Sequence, residues 1–421
     1  MWGEVLAAVV DGAHLVTGDR LSVLVDDAVR PTGLTVEIYL VDLAQASLRT
    51  ARPGRDERID VEGTVAGRVH QLGEIVAGTD DHAERVLWCP ILDGTERVGV
   101  LRLGLGAGLV DDDAFRRGAW TLAGLLGLLL ISKTVYSDHL RVLRSGRALS
   151  PESELLWQLV PPRTFATPHV VVSALLEPYD RVAGDAYDYV VDGDTVELAL
   201  FDGVGHDLGA GVATALAVTA IRASRRRERG DLARTAARAD EALLALDGTR
   251  RFVTAVLARL DTRTGALDYV VAGHPPPLLI RDGHIVKELD AHVQRPLGVP
   301  AGTRPASARE HLQPGDRLLL YTDGIIEARD DDGRFFGTRR LVDLTERAEL
   351  AQVSAPETLR RLVGAVLEHQ NGRLQDDASL LLLEWSSEAH RRLLPAVRDS
   401  APDAVAGRPG PGPRAGGSLR T

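Results

Sequence analysis

Four short stretches of this chain set an aspartate at the end of an apolar run, beside glycine or a second acid. In residues 182–189 (VAGDAYDY) Gly184 allows a tight backbone turn, Asp185 follows it, and Asp188 comes three positions later. Residues 196–209 (VELALFDGVGHDLG) deliver Asp202 at the end of a strand-like run, and Gly203 and Gly205 keep the next loop free of side chains. Residues 316–327 (DRLLLYTDGIIE) end an apolar strand in Asp323 and Gly324, and residues 374–383 (LQDDASLLLL) place Asp376 and Asp377 just before another. A carboxylate carried to the rim of a sheet core loses solvation, and without a cation or strong donors it takes up a proton. Any one of these stretches alone reads equally as a turn with solvated aspartates. Their repetition points to a shared cation, which would also relieve the repulsion between Asp376 and Asp377. Carboxylates beside backbone carbonyls suit a hard divalent ion, Mg²⁺ or Mn²⁺.

Other site chemistries fit less well. His206 and His274 lie in turns, but there is no H-E-x-x-H spacing and only one cysteine, Cys89, so zinc is disfavoured. Gly203, Gly205 and Gly209 spell G-x-G-x-x-x-G, one residue longer than the dinucleotide fingerprint, and Asp202 would stand against a pyrophosphate.

The elements that must position these aspartates can be read from periodicity and breakers. Residues 1–132 combine amphipathic helices with strand-like runs at 35–41, 86–92 and 98–103, an α+β domain. Residues 133–160 read mostly as helix, stopped by Pro161 and Pro162, and serve as a connector. Residues 161–385 alternate strands with Gly-rich turns around one long helical region at 212–246, and hold all the unusual aspartates. Residues 386–421 turn rich in Gly and Pro and are expected to be a disordered tail.

Residues 118–131 (GAWTLAGLLGLLLI) are nearly free of polar side chains, but these 14 residues fall short of the roughly 20 needed to cross a bilayer. Asp111, Asp112 and Asp113 precede them as helix starters, and Leu122, Leu125, Leu126 and Leu129 recur at helical spacing. The spacing predicts a helix packed on a sheet or a partner chain rather than a membrane span. The first 14 residues lack the basic start and long apolar run of a signal peptide.

A length of 421 residues implies two or three domains. Forty-nine basic against 60 acidic residues give a net charge of −11, which repels nucleic acid and anionic lipid. A single cysteine fits a reducing, cytoplasmic compartment, with Cys89 read as a small buried apolar residue rather than a sensor thiol.

The segments VAGDAYD, FDGVGH, FVTAVLARLDTRTGALDYVVAGHPPPLL, LQPGDRLLLYTDGIIEARDDDGRFFG and LQDDASL, in this order, resemble the sporulation-phosphatase (SpoIIE-type) branch of the PPM metal-dependent protein phosphatases. LLWQLVPP at 155–162 is similar to that branch's opening motif. The resemblance implies an α-β-β-α sandwich, two antiparallel sheets flanked by helices, and two bound Mn²⁺ or Mg²⁺ ions. Matched position by position, it implies catalytic, metal-binding roles for Asp185, Asp202 and Asp323, with the Gly203 carbonyl as a further ligand. In the last motif the ligand corresponds to Asp376, with Asp377 in the place of a neighbouring polar residue, or to Asp377 if the match shifts by one. Arg181 is a candidate phosphate contact; His206 and His274 are candidate proton donors, His274 being read rather as a brace for its turn.

Ala183, Ala186 and the FDGVGH loop depart from the branch's usual pattern, but no carboxylate is lost. The implied activity is hydrolysis of phosphoserine or phosphothreonine in a protein, with a STAS-type anti-anti-sigma factor as the implied partner. A catalytically silent scaffold and a hydrolase of small phosphate esters are the alternatives. GTVAGRVHQLGEIV at 63–76 and VLWCPILDGTERVGVLRLGL at 86–105 are similar to GAF sensor domains. Sensor, connector and phosphatase in series imply signal transmission through the connector, which together with the Leu-rich helix is also a candidate homodimer contact.

Overall fold

The computed structural model describes residues 1–80, 83–146, 150–177, 184–205, 207–228, 230–246, 251–300, 305–386 and 389–393. The N-terminal part is built on a six-stranded antiparallel sheet of β1 (Leu34–Val41), β2 (Ser47–Thr50), β3 (Arg58–Asp60), β4 (Val76–Thr79), β5 (Arg85–Asp93) and β6 (Glu96–Leu105), ordered β3-β2-β1-β6-β5-β4. The alternation of β1 sorts its two faces. Val36, Ile38 and Leu40 pack with α1 (Trp2–Ala13), α2 (Leu21–Val29) and α4 (Asp113–Thr134), while Tyr39 and Val41 pack with α3 (Val65–Leu72).

α4 is longer than the apolar run suggested. Its 22 residues take in Arg116, Arg117 and Lys133 outside that run, and Asp112 caps its start by accepting from the Phe115 amide. By length and composition α4 is the one helix among the described residues that could cross a membrane. Leu122, Leu126 and Leu130 are nevertheless buried against the sheet, and Leu125 and Leu129 are half-buried. Cys89 is fully buried in β5, where desolvation pushes its thiol up to about 12.

The connector is not one helix. α5 (Asp138–Ser145) ends at Gly146 in the left-handed conformation, and α6 (Pro151–Leu159) starts afresh under a Ser150 cap. Beyond it, two antiparallel sheets face each other. One runs β9 (Ala186–Asp192), β10 (Thr195–Gly203), β11 (Val253–Asp261), β12 (Ala266–Ala272) and β15 (Ala308–His311), in the order β15-β12-β11-β10-β9. The other joins β7 (Thr164–Ala166), β8 (Val170–Glu177), β13 (Leu278–Arg281), β14 (His284–Glu288), β16 (Arg317–Tyr321) and β17 (Ala378–Trp385), in the order β14-β13-β16-β17-β8-β7.

The strand period decides what each face meets. Leu318, Leu320, Leu381 and Leu383 point into the core between the sheets, together with Leu200, Val256 and Val270. Leu319, Tyr321, Leu380 and Leu382 point outward to α10 (Gly337–Leu350) and α11 (Ala355–His369). α7 (Leu208–Glu228) and α8 (Leu232–Leu244) cover the five-stranded sheet, which completes the α-β-β-α sandwich. The expected single helical region at 212–246 is thus two helices, interrupted before Asp231, which caps α8. The expected tail also begins later than residue 386: Ala389–Arg392 form a 3-10 turn and the apolar Leu393 is buried in the outer core. The Gly- and Pro-rich remainder lies outside the described residues.

Candidate functional site

The sheet registers bring the four acidic corners to one end of the sandwich. β9 and β10 pair with Phe201 opposite Ala186, so the positions just beyond, Asp202 and Asp185, stand side by side across the ladder. On the facing sheet, β16 pairs with β17 with Tyr321 opposite Leu380. There the Thr322 amide donates to the Ser379 carbonyl at 3.1 Å, and the Ser379 amide donates back to Thr322 Oγ1 at 3.0 Å. Asp323 opens the short helix α9 (Asp323–Ile326) directly beside Asp376 and Asp377.

Two glycines let these corners close up. A Cβ on Gly184 would lie 2.8 Å from the Gly203 carbonyl oxygen and 3.0 Å from that of Gly205, so the turn before Asp185 and the loop after Asp202 crowd their oxygens together. A Cβ on Gly324 would fall 2.0 Å from the Asp377 carbonyl oxygen. Asp377 ties the sheets together: its Oδ2 accepts from the Gly184 amide and, at 3.4 Å, from the Asp185 amide. Asp376 is exposed, and its Oδ1 accepts from the Asp377 amide at 2.9 Å. Thr214 of α7 pins the same turn by donating to the Gly184 carbonyl at 2.7 Å.

The electrostatics record the crowding. Asp185 is 2% exposed and its Oδ2 has no hydrogen-bond partner. Burial, followed by the charges of Asp202 and Asp377, holds its carboxyl well above the usual carboxylate range. Burial and then Asp323, Asp376 and Asp377 push Asp202 up to about 7. Asp323 is raised as well, by burial first and Asp376 next. An acid that keeps an unpaired buried oxygen among other acids and inward carbonyls fits a hard divalent cation.

Among the described residues no three His, Cys, Asp or Glu side chains stand close enough together to hold one ion. Carboxylates without a counter-charge repel, and Mg²⁺ or Mn²⁺ accepts carbonyl and water oxygens beside one or two carboxylates. The Gly203 carbonyl is the available oxygen of that kind.

Asp188 belongs elsewhere. It is buried under Arg222, at 2.6 Å, and Arg225, at 2.9 Å, and ties β9 to α7. His274 is buried, its Nδ1 lies 2.7 Å from Thr254 Oγ1, and desolvation lowers it to about 3, so it is a neutral brace for its turn. Arg181, His206 and Ala183 lie outside the described residues. Sequence reasoning missed Thr214, Asp377's role as a strut, and Arg251, which pairs with Asp207 and donates to the Val204 carbonyl at 3.4 Å across the glycine loop. The phase of Thr214, nearly two turns into the helix after that loop, was the available signal for the first.

The family model for stage II sporulation protein E (SpoIIE) matches residues 192–386. These residues are similar to the SpoIIE family. Phosphoserine phosphatase RsbU of Bacillus subtilis is 24% identical over 220 residues, 50% of this chain and 62% of RsbU. Protein IcfG of Synechocystis is 27% identical over 124 residues, 27% of this chain and 19% of IcfG. The chain therefore spans less than two thirds of either relative. Among solved structures, the SiaA-PP2C domain of Pseudomonas aeruginosa aligns at 26% identity over 51% of this chain and 86% of that one, with a TM-score of 0.46. The RsbU and RsbW domains of Rv1364c from Mycobacterium tuberculosis align at 25% identity over 55% of this chain and 64% of that one, with a TM-score of 0.47.

Proposed function

We propose that the chain is a cytoplasmic, metal-dependent protein serine/threonine phosphatase acting on a phosphorylated regulatory protein, a STAS-type anti-anti-sigma factor, under control of a GAF-like domain in residues 1–132. The observation that carries this reading is the buried Asp185 with its unpartnered oxygen, set among Asp202, Asp376, Asp377 and the glycine carbonyls. The match to a phosphoserine phosphatase supports the substrate class.

In this reading Asp185, Asp202, Asp323 and Asp376 hold two Mn²⁺ or Mg²⁺ ions with the Gly203 carbonyl. Asp377 is engaged with the Gly184 and Asp185 amides, which favours Asp376 as the direct ligand. The bound pair of ions supplies positive charge for the phosphoryl oxygens and acidifies water. Asp377 and Thr214 fix the Gly184–Asp185 turn, so the carboxylates are positioned before substrate arrives. Arg251 bonds to the Val204 carbonyl and to Asp207, beside the Gly203 and Gly205 carbonyls that crowd Gly184.

The separation of the acids favours a second reading, a phosphatase fold that binds metal too weakly to turn over. Phosphate release from a phosphoserine peptide with and without Mn²⁺ decides between them. The enzyme reading expects metal-dependent release that falls by at least about 10²-fold in Asp202→Asn and Asp376→Asn. Equal silence of wild type and variants establishes the scaffold, and faster release from small phosphate esters than from the peptide establishes the third alternative.

A further inference from the structure

The N-terminal sheet, the end of α4, the two connector helices and the start of the sandwich line a cleft of about 820 Å³. Leu43, Ile131, Val135 and Val142 give it an apolar wall, and Trp157 and Arg163 meet on the opposite element, the passage from α6 into β7. Arg163 is 6% exposed, its guanidinium lies 5.2 Å from the centre of the Trp157 ring, and its Nη2 has no partner. Trp157 Nε1 and Arg144 Nε, from two further cleft residues, are buried without partners as well. Each unmet buried donor costs about 1–3 kcal/mol, and all three can be met by the same kind of group, an oxygen acceptor.

The charge of Arg163 acts on Glu96, but the carboxylates of the cleft leave its Nη2 without a hydrogen-bond partner. Glu96 accepts from the Thr164 amide at 2.8 Å and faces Arg144 at 3.8 Å, and Glu154 lies 3.5 Å from Arg141. Asp138 is exposed and Asp93 half-buried, and among the described residues neither forms an ion pair with Arg163. We propose that this cleft binds an amphipathic small molecule with one anionic group, its carboxylate, sulfonate or phosphate oxygens meeting Arg163 and Trp157 Nε1 and its apolar body lying along Leu43, Ile131, Val135 and Val142. An arginine stacked on an indole offers planar donors to such an anion in a setting already stripped of water.

The site also touches the catalytic half. Tyr187 lines the cleft, donates to the Pro161 carbonyl at 2.9 Å, and sits two residues after Asp185. Occupancy therefore bears on the turn that carries Asp185; this consequence rests on the phosphatase reading, whereas binding itself does not.

The test is a fluorescence titration of the full chain with 8-anilinonaphthalene-1-sulfonate, an apolar anionic probe. The expected result is one saturable site, weakened at least roughly tenfold in Arg163→Met and several-fold in Trp157→Phe, which keeps an aromatic face but removes the donor together with the indole's second ring. Decanoate should displace the probe and decyltrimethylammonium should not. Wild-type affinity in a folded Arg163→Met variant, or in Trp157→Phe should Arg163→Met fail to fold, overturns the site, as does equal displacement by the cation. No phosphate release is read, so failure of the site and failure of the phosphatase reading are separate results.

Discussion

Asp202 illustrates how buried, crowded carboxylates behave without a counter-charge. Burial and its acidic neighbours raise it from the usual 3.8 to about 7, and Asp185 and Asp323 are raised in the same sense. Between those limits the folded chain holds protons that the unfolded chain has released, so its stability must fall as pH rises through the window. At about 1.4 kcal/mol per unit, Asp202 alone is worth on the order of 4 kcal/mol. With a chelator present, the melting temperature is therefore expected to be lower at pH 8 than at pH 5.5. Mn²⁺ should restore it at pH 8 and do little at pH 5.5, where protons hold the ligands. Asp202→Asn should flatten most of this dependence. A chelated protein that melts higher at pH 8 contradicts the assignment of these groups.

At the scale of elements, the junction of the β16 end with the β17 start depends on Gly324. Its backbone passes so close to the Asp377 carbonyl that a Cβ would sit 2.0 Å away, against backbone that cannot swing aside. Gly324→Ala is expected to fold with about 1–3 kcal/mol lost in denaturant titration and a disproportionately larger loss of Mn²⁺ affinity by calorimetry, because Asp323 is pushed off Asp376. Unchanged metal affinity would show that the two corners do not act together.

The same junction shows what the sequence made legible. Each aspartate could be placed at a strand end because an apolar run, a turn residue and an acid are local signals. That Asp202 lies beside Asp185, and Asp323 beside Asp377, depends on pairings between strands distant in sequence, which no local pattern encodes. Here the family resemblance supplied what periodicity could not. The helix breaks were legible but under-read: Gly146 with Ser150 and Pro151 in the connector, and the polar 222–230 run ending in Gly230 before Asp231, are local stop and start signals. The strut role of Asp377 was hidden because its partners, the Gly184 and Asp185 amides, lie almost two hundred residues away.

At the scale of the whole molecule, buried polar groups tie the two halves together. The tip of the β5–β6 hairpin reaches β7: Thr95 donates to the Thr164 carbonyl at 3.3 Å, and Glu96 accepts from the Thr164 amide at 2.8 Å with Arg144 alongside. A second tie joins Glu62 to Arg360 of α11. Glu96 is buried, and desolvation raises its carboxyl even with Arg144 and Arg163 near. Such a joint is exacting: removing one partner strands the others without water, at about 3–5 kcal/mol for a buried ionic contact.

Glu96→Ala is thus expected to uncouple the halves. Calorimetry should show a single unfolding transition in the wild type dividing into two, because each half keeps its own core: that of the N-terminal part ends at Leu143, and that of the sandwich starts at Leu156. Glu96→Gln keeps an oxygen for the Thr164 amide and should divide the transition less. If Glu96→Ala melts as one unit at the wild-type temperature, the hairpin tip is only a surface contact. Under the proposed sensor reading, a signal from the N-terminal sheet would then have to reach Asp185 by another route.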